Sequence, residues 1–199
     1  MQADLDASLG LEPGRPREAA WRMRLLCRAL AATCVIVAVT LPATILFMWM
    51  FQDGETLYRA ALADPSAQIS AHVPHDLALW QRLAGAALTL VPAVFTAVGL
   101  LKARRCFRLF AAGTYFDPEV VRGLRGFAGM TAVSVALGLL MRAPASAVIS
   151  LSNPPGERFV TLGLASGDLR DLFFAGMVWA IAAVMAKAVV LARENAAFV

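Results

Sequence analysis

Few side chains in this sequence stand at spacings that chemistry can use. His72 and His75, the only histidines, lie three residues apart and are followed by Asp76. On a helix that spacing puts both imidazoles on one face, and with the carboxylate they would offer three ligands to a metal. Pro74 falls between them and no fourth ligand is near, so the segment reads as an exposed loop and no metal site is assigned. Cys27, Cys34 and Cys106 form no Cys-x-x-Cys pair and read as buried or lipid-facing thiols. No Gly-rich phosphate loop, Gly-x-Ser-x-Gly elbow or His-Glu-x-x-His helix occurs. With no nucleophile–base set to assemble, the chain is expected to be no enzyme, with no catalytic residue and no cofactor.

One charge stands where charge is costly. Arg142 follows fifteen uncharged residues, Phe127 to Met141, and sits beside Pro144. An arginine inside an apolar run either reaches along the helix to an interface or finds a partner. The sequence leaves both open: Arg142 snorkels toward the nearer surface, or it makes an intramembrane contact with Asp168 or Asp171, which begin the next apolar run. A substrate-binding role for Arg142 is a third reading.

These residues are carried by a chain far more apolar than a soluble domain. Hydrophobic residues make up 59% of the 199 and charged residues 16%, against about 25% charged in an ordinary soluble protein. The charges fall in short blocks between long uncharged runs. Ala29–Phe51 and Leu83–Leu101 carry no charge over 23 and 19 residues. At about 1.5 Å per residue the first reaches across a hydrocarbon core of about 30 Å, and it is too long for a cleaved signal. Two further spans, 127–150 and 172–192, reach spanning length only through Arg142 and Lys187. The expected fold is therefore an all-α polytopic membrane protein, four transmembrane helices in a bundle. Residues 1–20 read as a disordered tail and 21–199 as a single membrane domain.

Orientation follows from the basic residues. Twelve flank the spans on the side of the termini and of the 102–126 connection, and four lie in 52–82 and 151–171. The positive-inside rule puts both termini and that connection in the cytoplasm. The positive charge thus reports topology, and no direct nucleic-acid binding is expected. Beyond the bilayer itself, the partners to expect are a cytoplasmic regulatory protein and further copies of the chain. Small residues repeating at four, Ala128, Ala132 and Ala136, and Gly176 and Ala180, are expected to let the four helices pack closely, with self-association through one of these faces as the alternative.

The connection between spans two and three is the most structured polar stretch. Arg104 to Ala112 reads as a short amphipathic helix ended by Gly113. Asp117, Pro118 and Glu119 read as the cap, first position and first turn of the next helix. On the other side, Tyr58 to Ala63 reads as a short helix and Phe159 to Leu164 as a short strand.

Cys106-Phe-Arg-Leu-Phe-Ala-Ala-Gly113-Thr-Tyr-Phe116, the stretch Val120 to Gly126, and the closing Leu191-Ala-Arg-Glu194-Asn195-Ala-Ala-Phe-Val199 together resemble a bacterial four-span membrane family, domain of unknown function 2975. The resemblance covers about residues 20–199, and at 196–198 this chain has Ala-Ala-Phe where that family often shows Glu, Leu and Thr. It implies an inner-membrane protein with no known reaction, often encoded beside a small helix-turn-helix regulator. The leading expectation is a regulatory or scaffold protein that docks a cytoplasmic protein, with a helix-turn-helix transcription factor as one such partner. Docking would use Arg104, Arg105, Phe107, Arg108, Phe110, Phe116, Glu194 and Asn195. The alternative is a small transporter or channel subunit, with Arg142 and Pro92 beside its path.

Overall fold

The computed structural model describes residues 16–62, 76–115 and 117–196. Among them the chain is helical throughout: α1 (Pro16–Phe51), α2 (Gly54–Leu62), α3 (Leu79–Ala111), α4 (Pro118–Ser150) and α5 (Ser166–Ala196). Four of these, α1, α3, α4 and α5, are long and apolar enough to cross a membrane. The protein is a multi-pass membrane protein.

The packing is serial. α1 packs on α3, α3 on α4, and α4 on α5, while the short α2 touches α4. Among the described residues no comparable face joins α1 to α5, so the two outer helices are edges of this series. The seams are narrow and built from small residues. On α1 they are Cys27, Ala31, Cys34 and Ala38; on α5 they are Ala175, Ala182 and Val189. The α5 residues recur every seven, which returns within about 20° to the same helix face. Gly176 and Ala180, the small pair singled out in the sequence, are exposed on α5 instead, and of the α4 repeat only Ala128 is buried, with Ala132 half-buried and Ala136 exposed. Outside the seams, Ile36, Val39, Phe173 and Val184 are each at least 60% exposed. Such surfaces suit hydrocarbon, where dispersion contacts between close backbones hold helices together and apolar faces cost nothing.

Several boundaries differ from the sequence reading. Residues 1–15 lie outside the described residues, but α1 already begins at Pro16, a residue whose fixed φ suits the first helical position. The helix expected at Arg104–Ala112 forms, though not as a separate element. It is the end of α3, because nothing between Leu100 and Ala112 breaks a helix and Lys, Arg, Ala and Leu all favour one. The strand expected at Phe159–Leu164 is absent: no strand occurs among the described residues. That segment takes no regular structure, and serine hydroxyls bond part of its backbone instead.

Candidate functional site

The two ends of the helices are chemically different. The loop end carries α2, the 151–165 segment and the junctions of α1 with α2 and of α4 with α5. The basic end carries the start of α1, the α3–α4 hairpin and the end of α5.

At the loop end every polar side chain that is buried has a partner. Arg142 and Asp168 meet there in a two-pronged ion pair, with Nη1 and Nη2 at 2.6 and 2.7 Å from the two carboxylate oxygens. Both side chains are little exposed, 11% and 15%. Arg142 also donates to the Gly163 carbonyl at 2.5 Å, and Asp168 accepts the Ala165 N–H at 2.8 Å. The carboxylate thus serves the first turn of α5 and the guanidinium of α4 at once. Asp171 is not part of this contact; it is half exposed and lies 3.4 Å from its neighbour Arg170. Asp168 sits in the first turn of α5, level with the 151–165 segment, whereas Asp171 is about 4.5 Å deeper along the helix.

Three other residues at this end were not singled out in the sequence. Gln81 is fully buried: it donates to the Val148 carbonyl and accepts from the Ala78 N–H and the Ser152 hydroxyl. Arg82 places one guanidinium nitrogen 2.9–3.1 Å from the carbonyls of Trp49, Met50 and Gln52. These are carbonyls that the end of α1 leaves without an intrahelical donor, and a cation suits the negative end of the helix dipole. Trp49 donates its indole N–H to Thr89 at 2.9 Å and lies across Gly85. A methyl group on Gly85 would fall 2.0 Å from the ring. Trp49, Leu57, Tyr58, Leu77, Ala86 and Ile149 form one apolar cluster around this polar set. The 151–165 segment is pinned over it. Ser150 donates to the Phe159 carbonyl, Ser146 accepts the Thr161 N–H, and Phe159 meets Tyr58 edge to face at 5.1 Å.

The basic end is built around the α3–α4 hairpin. α3 stops in a glycine-ended turn: Gly113 adopts φ +85°, its N–H bonds Phe110 and the Thr114 N–H bonds Leu109. α4 starts at Asp117, whose carboxylate accepts the Glu119 N–H at 2.6 Å, with Pro118 first in the helix. Gly123 lets the two helices touch, since a Cβ there would lie 2.3 Å from Cys106 Sγ. Cys106 is 1% exposed and donates its S–H to the Val120 carbonyl at 3.4 Å. Cys27 and Cys34 are also free and buried.

Cations line the flank of this hairpin. Lys102, Arg105, Glu119, Arg122 and Gly123 bound a cleft of about 130 Å³. A second cleft, of about 390 Å³, shares Arg105 and Glu119 and adds Arg108, Leu109 and Ala112. The combined lining has four cations and one carboxylate, a net charge of +3. None of the four cations makes an ion pair or a side-chain hydrogen bond among the described residues.

The docking candidates are therefore split. Arg105 and Arg108 face the clefts. Arg104 and Phe107 are half-buried and line neither. Phe110 is half-buried and stacks on Tyr115 with ring centres 6.0 Å apart, so it supports the turn. Phe116 lies outside the described residues, as do His72 and His75. Glu194 is exposed near the end of α5, and the side chain of Asn195 is outside the described residues. Asp76 is exposed. No three His, Cys, Asp or Glu residues come together among the described residues.

The chain matches no family model, and no curated protein or solved structure matches it.

Proposed function

We propose that this four-span protein is a non-enzymatic scaffold of the bacterial inner membrane whose α3–α4 hairpin docks a cytoplasmic protein. The observation that carries this reading is the hairpin itself. α3 continues ten residues beyond the apolar run, Lys102 to Ala111, or about 15 Å at the usual helical rise. The projection is fixed by a glycine stop, an aspartate cap and a close helix crossing, and it presents Arg104, Arg105 and Arg108 with no ion-pair or side-chain hydrogen-bond partner among the described residues. A rigid, cationic projection suits an acidic protein surface, for which complementary charge gives specificity and fast encounter. The family resemblance supplies a helix-turn-helix regulator as the partner to look for.

The transporter alternative would use Arg142, and here that guanidinium is committed to Asp168 and Gly163. The scaffold reading makes no demand on it.

Gentle purification of the tagged chain tests the reading. The expected result is a stoichiometric cytoplasmic protein that is lost from Arg104→Glu, Phe107→Ala protein while membrane insertion is retained. Recovery of that partner unchanged with the variant would contradict the proposal. Orientation is read separately with Thr114→Cys, because the three native thiols are buried and give little background. An impermeant maleimide is expected to label Thr114→Cys only in inverted vesicles; labelling of intact cells would reverse the topology.

A further inference from the structure

The geometry points to a binding site for the headgroup of an anionic phospholipid in the cleft between α3 and α4, formed by Lys102, Arg105 and Arg122. The site needs only the membrane placement of the four spans; it shares Arg105 with the proposed docking face but does not depend on a protein partner.

Its first support is height. Lys102 is the first charged residue after the Leu83–Leu101 run, and Gly126 is the last residue before the run that begins at Phe127. The two are in register across the hairpin: the Lys102 stem lies over Gly126, with Cδ 2.7 Å from where a Cβ on that glycine would stand. The cleft therefore opens where hydrocarbon gives way to headgroups. A lipid phosphate is already present in that layer, whereas a protein would have to enter it.

The second support is charge. Lys102, Arg105 and Arg122 converge on one small cleft, and the only carboxylate there is Glu119. Cations that line one small cleft repel unless an anion joins them, and salt only partly screens charges closer than the Debye length of about 8 Å. Guanidinium groups bind phosphate oxygens in pairs, and an ammonium adds a point charge. A basic pocket between transmembrane helices at the interface is the arrangement that holds anionic lipid headgroups.

The third is the shape of the approach. Gly123 and Gly126 put no side chain on this flank of α4, so Cys106 packs against the first and the Lys102 stem lies across the second, beside the cleft that Arg105 and Arg122 also line. Leu109 and Ala112, in the adjoining cleft, offer an apolar wall beside the cations.

The test is binding of phosphatidylglycerol to the full chain in phosphatidylcholine nanodiscs, followed by native mass spectrometry. One phosphatidylglycerol is expected to stay bound to the wild-type chain. Arg105→Gln should weaken it about fivefold, the effect of one cation beside anionic headgroups, and Arg105→Gln, Arg122→Gln about twenty-five-fold. Arg24→Gln, Arg28→Gln, at the same end but on α1, should leave it unchanged. Glu119→Gln should tighten binding severalfold, a gain that misfolding cannot produce. Equal loss from the α1 variant, or no change with Glu119→Gln, would overturn the assignment. So would displacement of the lipid by millimolar inorganic phosphate, or equally tight binding of an oligoglutamate peptide in lipid-neutral discs.

Discussion

The loop end and the basic end of this protein use arginine in opposite ways. At the loop end, Arg82 and Arg142 are closed in on the chain itself. One covers the end of α1, and the other joins α4 to the first turn of α5 and to the segment between them. At the basic end, Arg105, Arg108 and Arg122 line clefts and touch no anion of the described chain. The same side chain is an internal clamp in one place and a waiting ligand in the other. What decides is whether an acceptor is built nearby: three helix-end carbonyls for Arg82, Asp168 for Arg142, and a single carboxylate among four cations at the hairpin. Stability should depend on the first set and interactions on the second.

Mutations can break that contrast. The largest loss is expected from Arg142→Ala, which leaves Asp168 nearly buried without its counter-charge, at a cost of about 3–5 kcal/mol in detergent unfolding. A double-mutant cycle with Asp168→Ala should show strong coupling, and one with Asp171→Ala none. Arg82→Gln should follow at about 2 kcal/mol, the scale of hydrogen bonds from a charged donor, with the junction of α1 and α2 becoming the first site of proteolysis. Gly85→Ala forces the Trp49 ring to move and should cost about 1–3 kcal/mol. Tryptophan fluorescence would show the indole leaving its buried place beside Thr89. Smallest of all, Arg108→Gln at the basic end should alter stability by no more than about 0.5 kcal/mol. A large loss there would show that the hairpin arginines are structural after all.

The sequence carried some of this plainly. Two uncharged runs and two runs interrupted by one charge set four spans, Gly113 and Asp117-Pro118 marked both sides of the hairpin, and Arg142 stood out as a charge that had to reach an interface or a partner. Those signals are local, and each lies within a few residues of the feature it encodes. The rest is long-range. Arg82 is one of the four basic residues on the sparse side of the chain, and nothing near it in sequence shows that α1 ends against it. Gln81 and Trp49 lie within or beside apolar stretches, and their partners are 67 and 40 residues away. The choice of Asp168 over Asp171 depended on the Ala165 N–H and the Gly163 carbonyl, set by where α5 starts. The strand expected at Phe159–Leu164 had the right residue types and lacked only a second strand to pair with. The end of α3 reads as a separate helix in sequence because charge ends an apolar run without ending a helix.

The most direct test of the contrast between the two ends is thermal stability of paired variants in two membranes. Wild type, Arg142→Gln, and the double variant Arg105→Gln, Arg122→Gln would each be melted in pure phosphatidylcholine nanodiscs and in discs containing phosphatidylglycerol. The account predicts that Arg142→Gln lowers Tm equally in both. The double variant should match wild type in phosphatidylcholine and lose only the added stability that phosphatidylglycerol gives. A double variant already destabilised in phosphatidylcholine would mean that those arginines have a partner within the chain, and the distinction between the two ends would fail.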